Sequence, residues 1–382
     1  MDLSRPSHAQ GPPPKRPSLL VSNKDRRSGA RFLSIDRQDL QPFFTSMKTL
    51  TLAGQQNDVG HILEPVEGID WNELQNVSHL ADGGMCRVYS CTFRGVPCVA
   101  KTPLPHVADP EERLNIVRSL EDEVKALRLV PRHPNIIEYY GSGTRADGEF
   151  FILLERLQDT LSAVIETANR DPSLRRVPRA RYTLLDALKW SLELCHAMAY
   201  LHDSAVPNAM VLHRDLKPEN LGLSLGGRLK LIDLGLAVVR ERAFRSKGAD
   251  YAMSGGVGSL RYMAPEVTEG RPYNEKADVH SFAMILWELL AHTQPYEWCT
   301  TLDDFLRAAV RGHQRPKLSP RWPPELRRLL AAAWAPAAHE RPAFRELVGA
   351  LEGALADEVD RVLTSLRAAK AAEEGAAGGK GR

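Results

Sequence analysis

From Ile69 onward the apolar positions fall into two alternating textures. The stretches VYSCTF, VPCVAK and FFILLE are short, rich in β-formers and broken by glycine or charge, and they predict strands. Between them, residues 111–130 carry Leu114, Val117, Leu120, Val124, Leu127 and Val130 at three- and four-residue steps, one face of a helix. After this strand-rich third the pattern is mostly helical, over 183–202, 277–292, 302–310, 324–334 and from 342 onward. The order predicts an α+β chain, with a small β-rich lobe joined to a larger α-rich lobe. Ligands favour the cleft between two such units.

The ends read differently. Residues 1–66 hold proline, serine, glutamine and scattered arginine with little sustained periodicity, including the run Pro12 to Pro14 and the basic patch Lys24, Arg26 and Arg27. This composition predicts a disordered tail, either a plain solvated leader or a docking and phosphorylation segment around Ser18 and Ser28. Past Leu355 a stripe of Leu355, Val359, Val362 and Leu366 dissolves into AAEEGAAGGKGR. A last helix lying along its own domain fits this better than a dimerising coiled coil, because one or two heptads rarely suffice. The expected boundaries are a tail at 1–66, a domain at 67–355 whose first lobe ends near 156, and a helical extension with a disordered tail at 356–382.

Charge alters this picture little: 50 Lys and Arg stand against 48 Asp and Glu, a net charge of +2. That gives no reason to expect a nucleic-acid partner. Cys86, Cys91, Cys98, Cys195 and Cys299 form no CxxC pair and no regular framework, as expected for free thiols in a reducing compartment. The first residues lack the apolar core of a secretory signal. The longest apolar stretch, 282–291, is too short to span a bilayer and contains Glu288. The expectation is a cytoplasmic protein without a membrane span, with the nucleus left open.

The strongest chemical signal is VLHRDLKPENL at 211–221. Phosphoryl transfer asks a protein for a carboxylate to orient the incoming hydroxyl, cations for the phosphates and groups to hold metal ions. Asp215, Lys217 and Asn220 supply one of each. Here the chain resembles the eukaryotic protein kinase family, whose catalytic-loop motif HRDLKPEN is complete. The resemblance covers roughly residues 69–355 and implies the bilobal protein kinase fold, with ATP in the cleft and Mg2+ as its companion ion.

The other family motifs follow in order. By resemblance Asp233, opening Asp233-Leu234-Gly235, chelates magnesium together with Asn220; leucine replaces the usual phenylalanine. Lys101, closing Cys98-Val99-Ala100-Lys101, matches the lysine that reaches the α- and β-phosphates, held by a carboxylate of the facing helix. Glu123 is the best match for that carboxylate, with Glu121 as the alternative. The phosphate-covering loop aligns on Ala81, Gly83, Cys86 and Val88. Only the middle glycine of the family's three survives, with Gly84 beside it. Glycine there lets backbone N–H groups approach phosphate closely. Cys86 would place a thiol over the triphosphate, either a reactive thiolate made acidic by nearby Lys101 or a small apolar filler. Around the adenine the resemblance implies Leu154 as gatekeeper, the backbones of Glu155 and Leu157 as hydrogen-bonding partners, and Val88 and Val99 as the roof. The usual floor leucine is Gly222 here, leaving Leu221 or Leu223 to form the floor.

Glu266, in Ala264-Pro265-Glu266, closes the activation segment and matches the partner of Arg341. Asp278 matches the helix aspartate that braces the catalytic-loop backbone. Lys217-Pro218-Glu219 is the serine/threonine form of the loop, and the surrounding motifs resemble the tyrosine-kinase-like group of Ser/Thr kinases. This implies protein substrates phosphorylated on serine or threonine, with dual specificity left open. Arg214 before Asp215 implies an activation segment switched by an upstream kinase, with Ser254 as the first candidate and Ser259 as the residue touching the substrate loop. The competing expectation is a pseudokinase scaffold, suggested by the depleted glycine loop, Leu234 and Gly222. Against it stand Lys101, Glu123, Asp215, Asn220 and Asp233, all retained.

Overall fold

The computed structural model describes residues 63–83, 85–105, 107, 109–170, 182–242 and 259–378. The first lobe is one six-stranded sheet with a helix packed on it. Its elements are β1 (Val66–Asp70), β2 (Gln75–Asp82), β3 (Cys86–Phe93), β4 (Val96–Pro103), α1 (Pro110–Leu129), β5 (Tyr139–Thr144) and β6 (Phe150–Glu155). The spatial order is β1-β5-β6-β4-β3-β2. All neighbours run antiparallel except β1 and β5. Phe93, Cys98, Ala100, Phe151 and Leu153 build the core under the sheet, and Trp71 meets Phe151 edge-on at 5.1 Å.

The parallel edge strand depends on two glycines. A Cβ on Gly141 would sit 2.1 Å from the carbonyl oxygen of Val66, and one on Gly143 2.0 Å from that of Ile69. Any side chain there would therefore push β1 off the sheet. Residues 63–66 were expected in the tail, but Leu63 and Val66 pack against the lobe core and Val66 opens β1. The rest of that expected tail, 1–62, lies outside the described residues.

Helix α1 begins where Asp109 accepts the Glu111 N–H at 3.0 Å, with Pro110 in the first turn. It buries Ile116, Leu120, Val124 and Leu127 together with Glu123, while Leu114 is 48% exposed. The expected stripe thus holds over its middle. At its N-terminal end the helix overhangs the sheet, and Ile116 is the inward residue there.

The second lobe comprises β7 (Asp159–Thr160), α2 (Leu161–Arg170), α3 (Leu184–Asp203), β8 (Ala209–Leu212), β9 (Leu221–Leu223), β10 (Leu229–Leu231), β11 (Val238–Glu241), α4 (Pro265–Thr268), α5 (Lys276–Ala291), α6 (Leu302–Phe305), α7 (Pro324–Ala333) and α8 (Phe344–Gly378). Strands β7, β9 and β10 form a small sheet, and β8 pairs with β11. Every residue of α5 from Ala277 to Leu290 is buried, so it is the axis of the lobe. The helix expected over 302–310 is α only to Phe305, then widens into a π turn over Leu306–Arg311.

Helix α8 runs unbroken through the expected boundary at 355 and packs along α3. Leu355, Val359 and Leu363 are buried, whereas Val362 and Leu366 are 38% and 45% exposed. The inward line follows steps of four, so Leu363 takes the place expected of Val362. No helix among the described residues is long and apolar enough to cross a membrane. Leu355→Ala should destabilise the protein by about 2–5 kcal/mol in chemical denaturation, the usual loss for a buried leucine. Leu366→Ala should change stability by less than about 0.5 kcal/mol, as an exposed position does. Equal losses at the two sites would show that the outward stripe is also covered.

Candidate active site

The catalytic loop is held from below by a buried carboxylate. Asp278, in the first turn of α5, accepts the backbone N–H of His213 and of Arg214, each at 2.9 Å, and pairs with His202 Nε2 at 2.9 Å. Burial opposes its charge, yet these donors hold the carboxyl below its ordinary range. The chain then places Asp215 at the cleft. Its Oδ2 takes the Lys217 ammonium at 2.7 Å and the Asn220 amide at 3.0 Å, and its Oδ1 takes the backbone N–H of Ser259 at 2.8 Å. Asn220 also donates to the Asp215 carbonyl at 2.8 Å. The donor end of that amide is thereby committed, and its oxygen is the end left for a ligand.

The upper wall comes from the first lobe. Lys101 on β4 meets Glu123 on α1 at 2.7 Å, and Asp233 lies 4.0 Å from the same ammonium. Glu121 is exposed and takes no part, so Glu123 is the carboxylate of the pair. Burial pushes the Glu123 carboxyl up to about 7, against the pull of Lys101. Asp233 is held below its ordinary range: burial opposes this, but Lys101 and the Gly235 N–H at 2.9 Å prevail.

The hairpin between β2 and β3 closes over these groups. Ala81 pairs with Val88, and the Gly83 N–H donates to the Cys86 carbonyl at 2.8 Å. Arg87 grips Asp82 through Nε at 2.7 Å and Nη2 at 2.8 Å across the rim of the turn. Gly84 lies outside the described residues. A cavity of about 940 Å³ opens beneath, walled by Gly83, Cys86, Lys101, Lys217, Asn220 and Asp233. It continues past Ser259 and Tyr262 to Leu302 and Phe305.

The expected adenine contacts stand apart from that cavity. Ala81, Val99, Leu154, Glu155 and Leu157 are absent from its wall. Val99 and Leu154 are neighbours across β4 and β6. Glu155 donates its own N–H to the Glu138 carbonyl at 2.9 Å. Leu221 and Leu223 do not replace the missing floor leucine. Both are buried, and strand alternation turns them to the opposite face from Gly222.

The surroundings of Cys86 favour the filler reading over the reactive thiolate. The thiol is half-buried, and its burial outweighs the nearby lysine and pushes it up to about 11. Glu123 and Asp233 add to the same direction. A raised thiol of this kind stays mostly protonated at neutral pH, as a filler under the hairpin would.

The activation segment closes on a second buried ion pair. Arg341 binds Glu266 through Nη1 to Oε1 at 2.5 Å and Nη2 to Oε2 at 3.0 Å. Ser254 lies outside the described residues. Two contacts escaped the sequence reading. Lys230 on β10 is buried and bonds Glu155 Oε2 at 2.7 Å, and the Tyr262 hydroxyl donates to buried Glu288 at 2.7 Å. The only signal for either was a charge inside an apolar run, LKLID and SFAMILWELLA.

A limited iodoacetamide reaction followed by mass spectrometry tests the Cys86 assignment. At neutral pH Cys86 should react on the order of 10²-fold more slowly than free cysteine, its rate climbing about tenfold per pH unit toward 11. A fast reaction at pH 7 would restore the thiolate.

Comparison with known proteins agrees with this geometry. The family described as "Protein kinase domain" matches residues 74–350. The chain is 32% identical over 300 residues to the serine/threonine-protein kinase VIK of Arabidopsis thaliana, covering 76% of this chain and 61% of that protein. It is 28% identical over 305 residues to the dual specificity protein kinase shkA of Dictyostelium discoideum, covering 79% and 53%. It is 30% identical over 241 residues to mitogen-activated protein kinase kinase kinase 7 of Drosophila melanogaster, covering 63% and 32%. The chain thus spans between about a third and three fifths of the length of these curated relatives. With Lys101, Lys217, Asn220 and Asp233 lining one interlobe cavity and the family match spanning 74–350, the chain belongs to the protein kinase family.

Proposed function

We propose that this protein transfers the γ-phosphate of ATP to serine or threonine hydroxyls of protein substrates, with dual specificity as the wider form of the same activity. The observation that carries this reading is the single cavity shared by Lys101, Lys217, Asn220 and Asp233 on one side and the Ser259–Tyr262 segment on the other. Phosphoryl transfer needs a triphosphate and an acceptor brought end to end, and catalysis is then mostly positioning and charge stabilisation.

Each group has a role its surroundings support. Lys101, oriented by Glu123, binds the inner phosphates, and Lys217 reaches the transferred one. Asp215 orients the acceptor hydroxyl and takes its proton. The Ser259 N–H on Asp215 and the pinned Tyr262 set the acceptor segment against that carboxylate. Asp233 and Asn220 fit a magnesium ion, because a hard cation takes oxygen ligands and typically combines one or two protein groups with substrate phosphates. When bound there, the ion would neutralise phosphate charge. Retention of all these groups in contact distance favours turnover over a pseudokinase scaffold. An upstream kinase acting on the activation segment, with Arg214 as the anchor for the new phosphate, completes the reading.

Asp215→Asn should abolish transfer to a degenerate peptide library while leaving nucleotide binding within about threefold of the unmodified protein. Full turnover in that variant would exclude Asp215 from the role. Lys101→Met should lower the rate by on the order of 10²-fold or more by misplacing the phosphates.

The Lys101–Glu123 pair predicts a pH effect. The carboxyl must ionise to hold Lys101, so the rate should rise as pH passes through about 7. Glu123→Gln should lower the rate and flatten that limb, since an amide does not titrate. The sign for stability is the reverse. A carboxyl raised from 4.5 to about 7 contributes stability that is complete below 4.5 and lost as pH rises to about 7. A pH profile unchanged by Glu123→Gln would assign the limb elsewhere.

A further inference from the structure

The β9–β10 hairpin turns one face toward the segment that joins the lobes. Gly222 lies directly opposite Lys230 in the antiparallel ladder, so both project to the same side, and Ile232 shares it two residues on. The Lys230 bond to Glu155 shows where that side looks. A Cβ built on Gly222 would lie 2.4 Å from Leu157 Cδ1, 3.3 Å from Ile232 Cγ2 and 3.4 Å from the Asp159 carbonyl oxygen. Gly222 is not among the glycines with positive φ, so its backbone does not call for glycine. What calls for it is space: the Leu157 side chain stands where a side chain at 222 would begin.

The interlobe segment is fastened to the same hairpin just after this contact. The Gln158 N–H donates to the Leu223 carbonyl at 2.8 Å, and Asp159 and Thr160 pair with Leu223 and Gly222. Leu157 is thus held over the glycine notch by the pairing of the residues that follow it. The position of Gly222 is where the family resemblance places the leucine beneath the adenine ring, and Leu221 and Leu223 face away.

We infer that Leu157 supplies the apolar floor of the purine subsite from the interlobe segment, seated in the notch left by Gly222. The two residues form one interlocking specificity element for the planar base. This rests on the nucleotide-binding reading above and adds to it the group that meets the lower face of the ring. The apolar surface that relatives carry on the sheet is here carried by the chain that also offers backbone groups to the base. The floor and the hydrogen-bonding edge therefore move together.

A compensation experiment on the full chain tests this, reading Mg-ATP and Mg-tripolyphosphate binding by calorimetry, with a thermal melt of each variant. Leu157→Ala should weaken Mg-ATP about 5- to 30-fold through the lost apolar contact, and leave Mg-tripolyphosphate unchanged. Gly222→Leu should weaken Mg-ATP at least as much, because the new side chain and Leu157 compete for one volume. The double variant Leu157→Ala with Gly222→Leu should return to within about threefold of the unmodified protein, the leucine having moved from one backbone to the other. If Gly222→Leu alone fails to fold while the double variant folds, the shared volume is confirmed. Gly222→Ala, whose single methyl also meets Leu157, then supplies the binding measurement. Losses that simply add in the double variant, or a Gly222→Ala that binds Mg-ATP normally, would overturn the interlocked floor while leaving nucleotide binding intact. An unmodified, folded chain that binds no Mg-ATP would overturn the nucleotide reading and this floor with it.

Discussion

One buried carboxylate underlies the geometry of the whole site. Asp278 sits on the central helix of the larger lobe and collects two backbone N–H groups and a histidine. An ionised carboxylate is tolerated in such a place only when its oxygens are filled with donors, and here they are. The return is a fixed backbone at the tip of the catalytic loop. Arg214 has φ of 73°, a left-handed conformation that costs a non-glycine residue on the order of 1 kcal/mol. Two bonds to Asp278, from the N–H groups of His213 and of Arg214 itself, hold the backbone that leads into it. Asp215 follows immediately, so its direction into the cleft is set by a residue 63 positions later in the chain.

The cleft above is an exercise in charge balance. Burial works against Lys101, yet Glu123 and Asp233 together hold its ammonium above the ordinary lysine value. The same burial lifts Glu123 into the neutral range, while Asp233, with a backbone donor of its own, stays acidic. Two carboxyls facing one ammonium thus have different protonation behaviour because Glu123 is almost fully buried while Asp233 is partly exposed and has a backbone donor of its own. Cys86 obeys the same rule from the other side. Proximity to a cation does not make a thiol acidic when the thiol is desolvated and two carboxylates stand beyond the cation.

The lobes are joined by more than one strand of chain. Lys230 and the Gly222 notch fasten the segment after β6 to the β9–β10 hairpin, and β10 leads directly into Asp233. The segment that joins the lobes is therefore braced against the strand that leads into Asp233. Below, Arg341 and Glu266 close the activation segment in a buried bidentate pair, which fixes the acceptor side to the helical lobe. Breaking such a pair leaves an uncompensated buried charge, so the contact is rigid by necessity.

The sequence by itself determined β3, β4, β6, α1 and the long helices α3, α5, α7 and α8, because hydrophobic periodicity is a local property of the chain. It also pointed to Asp215, Lys217, Asn220, Asp233 and Lys101, because the family's motifs set these groups at short, ordered spacings that survive as readable strings. Tertiary structure alone decided the rest. It chose Glu123 over Glu121, since two residues along a helix turn a carboxylate from the core to solvent. It took β1 from the tail into the sheet, through Gly141 and Gly143, whose missing side chains give no periodic signal. It turned Leu363 inward in place of Val362, as the docking of α8 on α3 dictated. It also desolvated the Cys86 thiol and seated Leu157 in the notch beside Gly222. Desolvation and shared volume are set by residues far apart in sequence, and no string of neighbours records them.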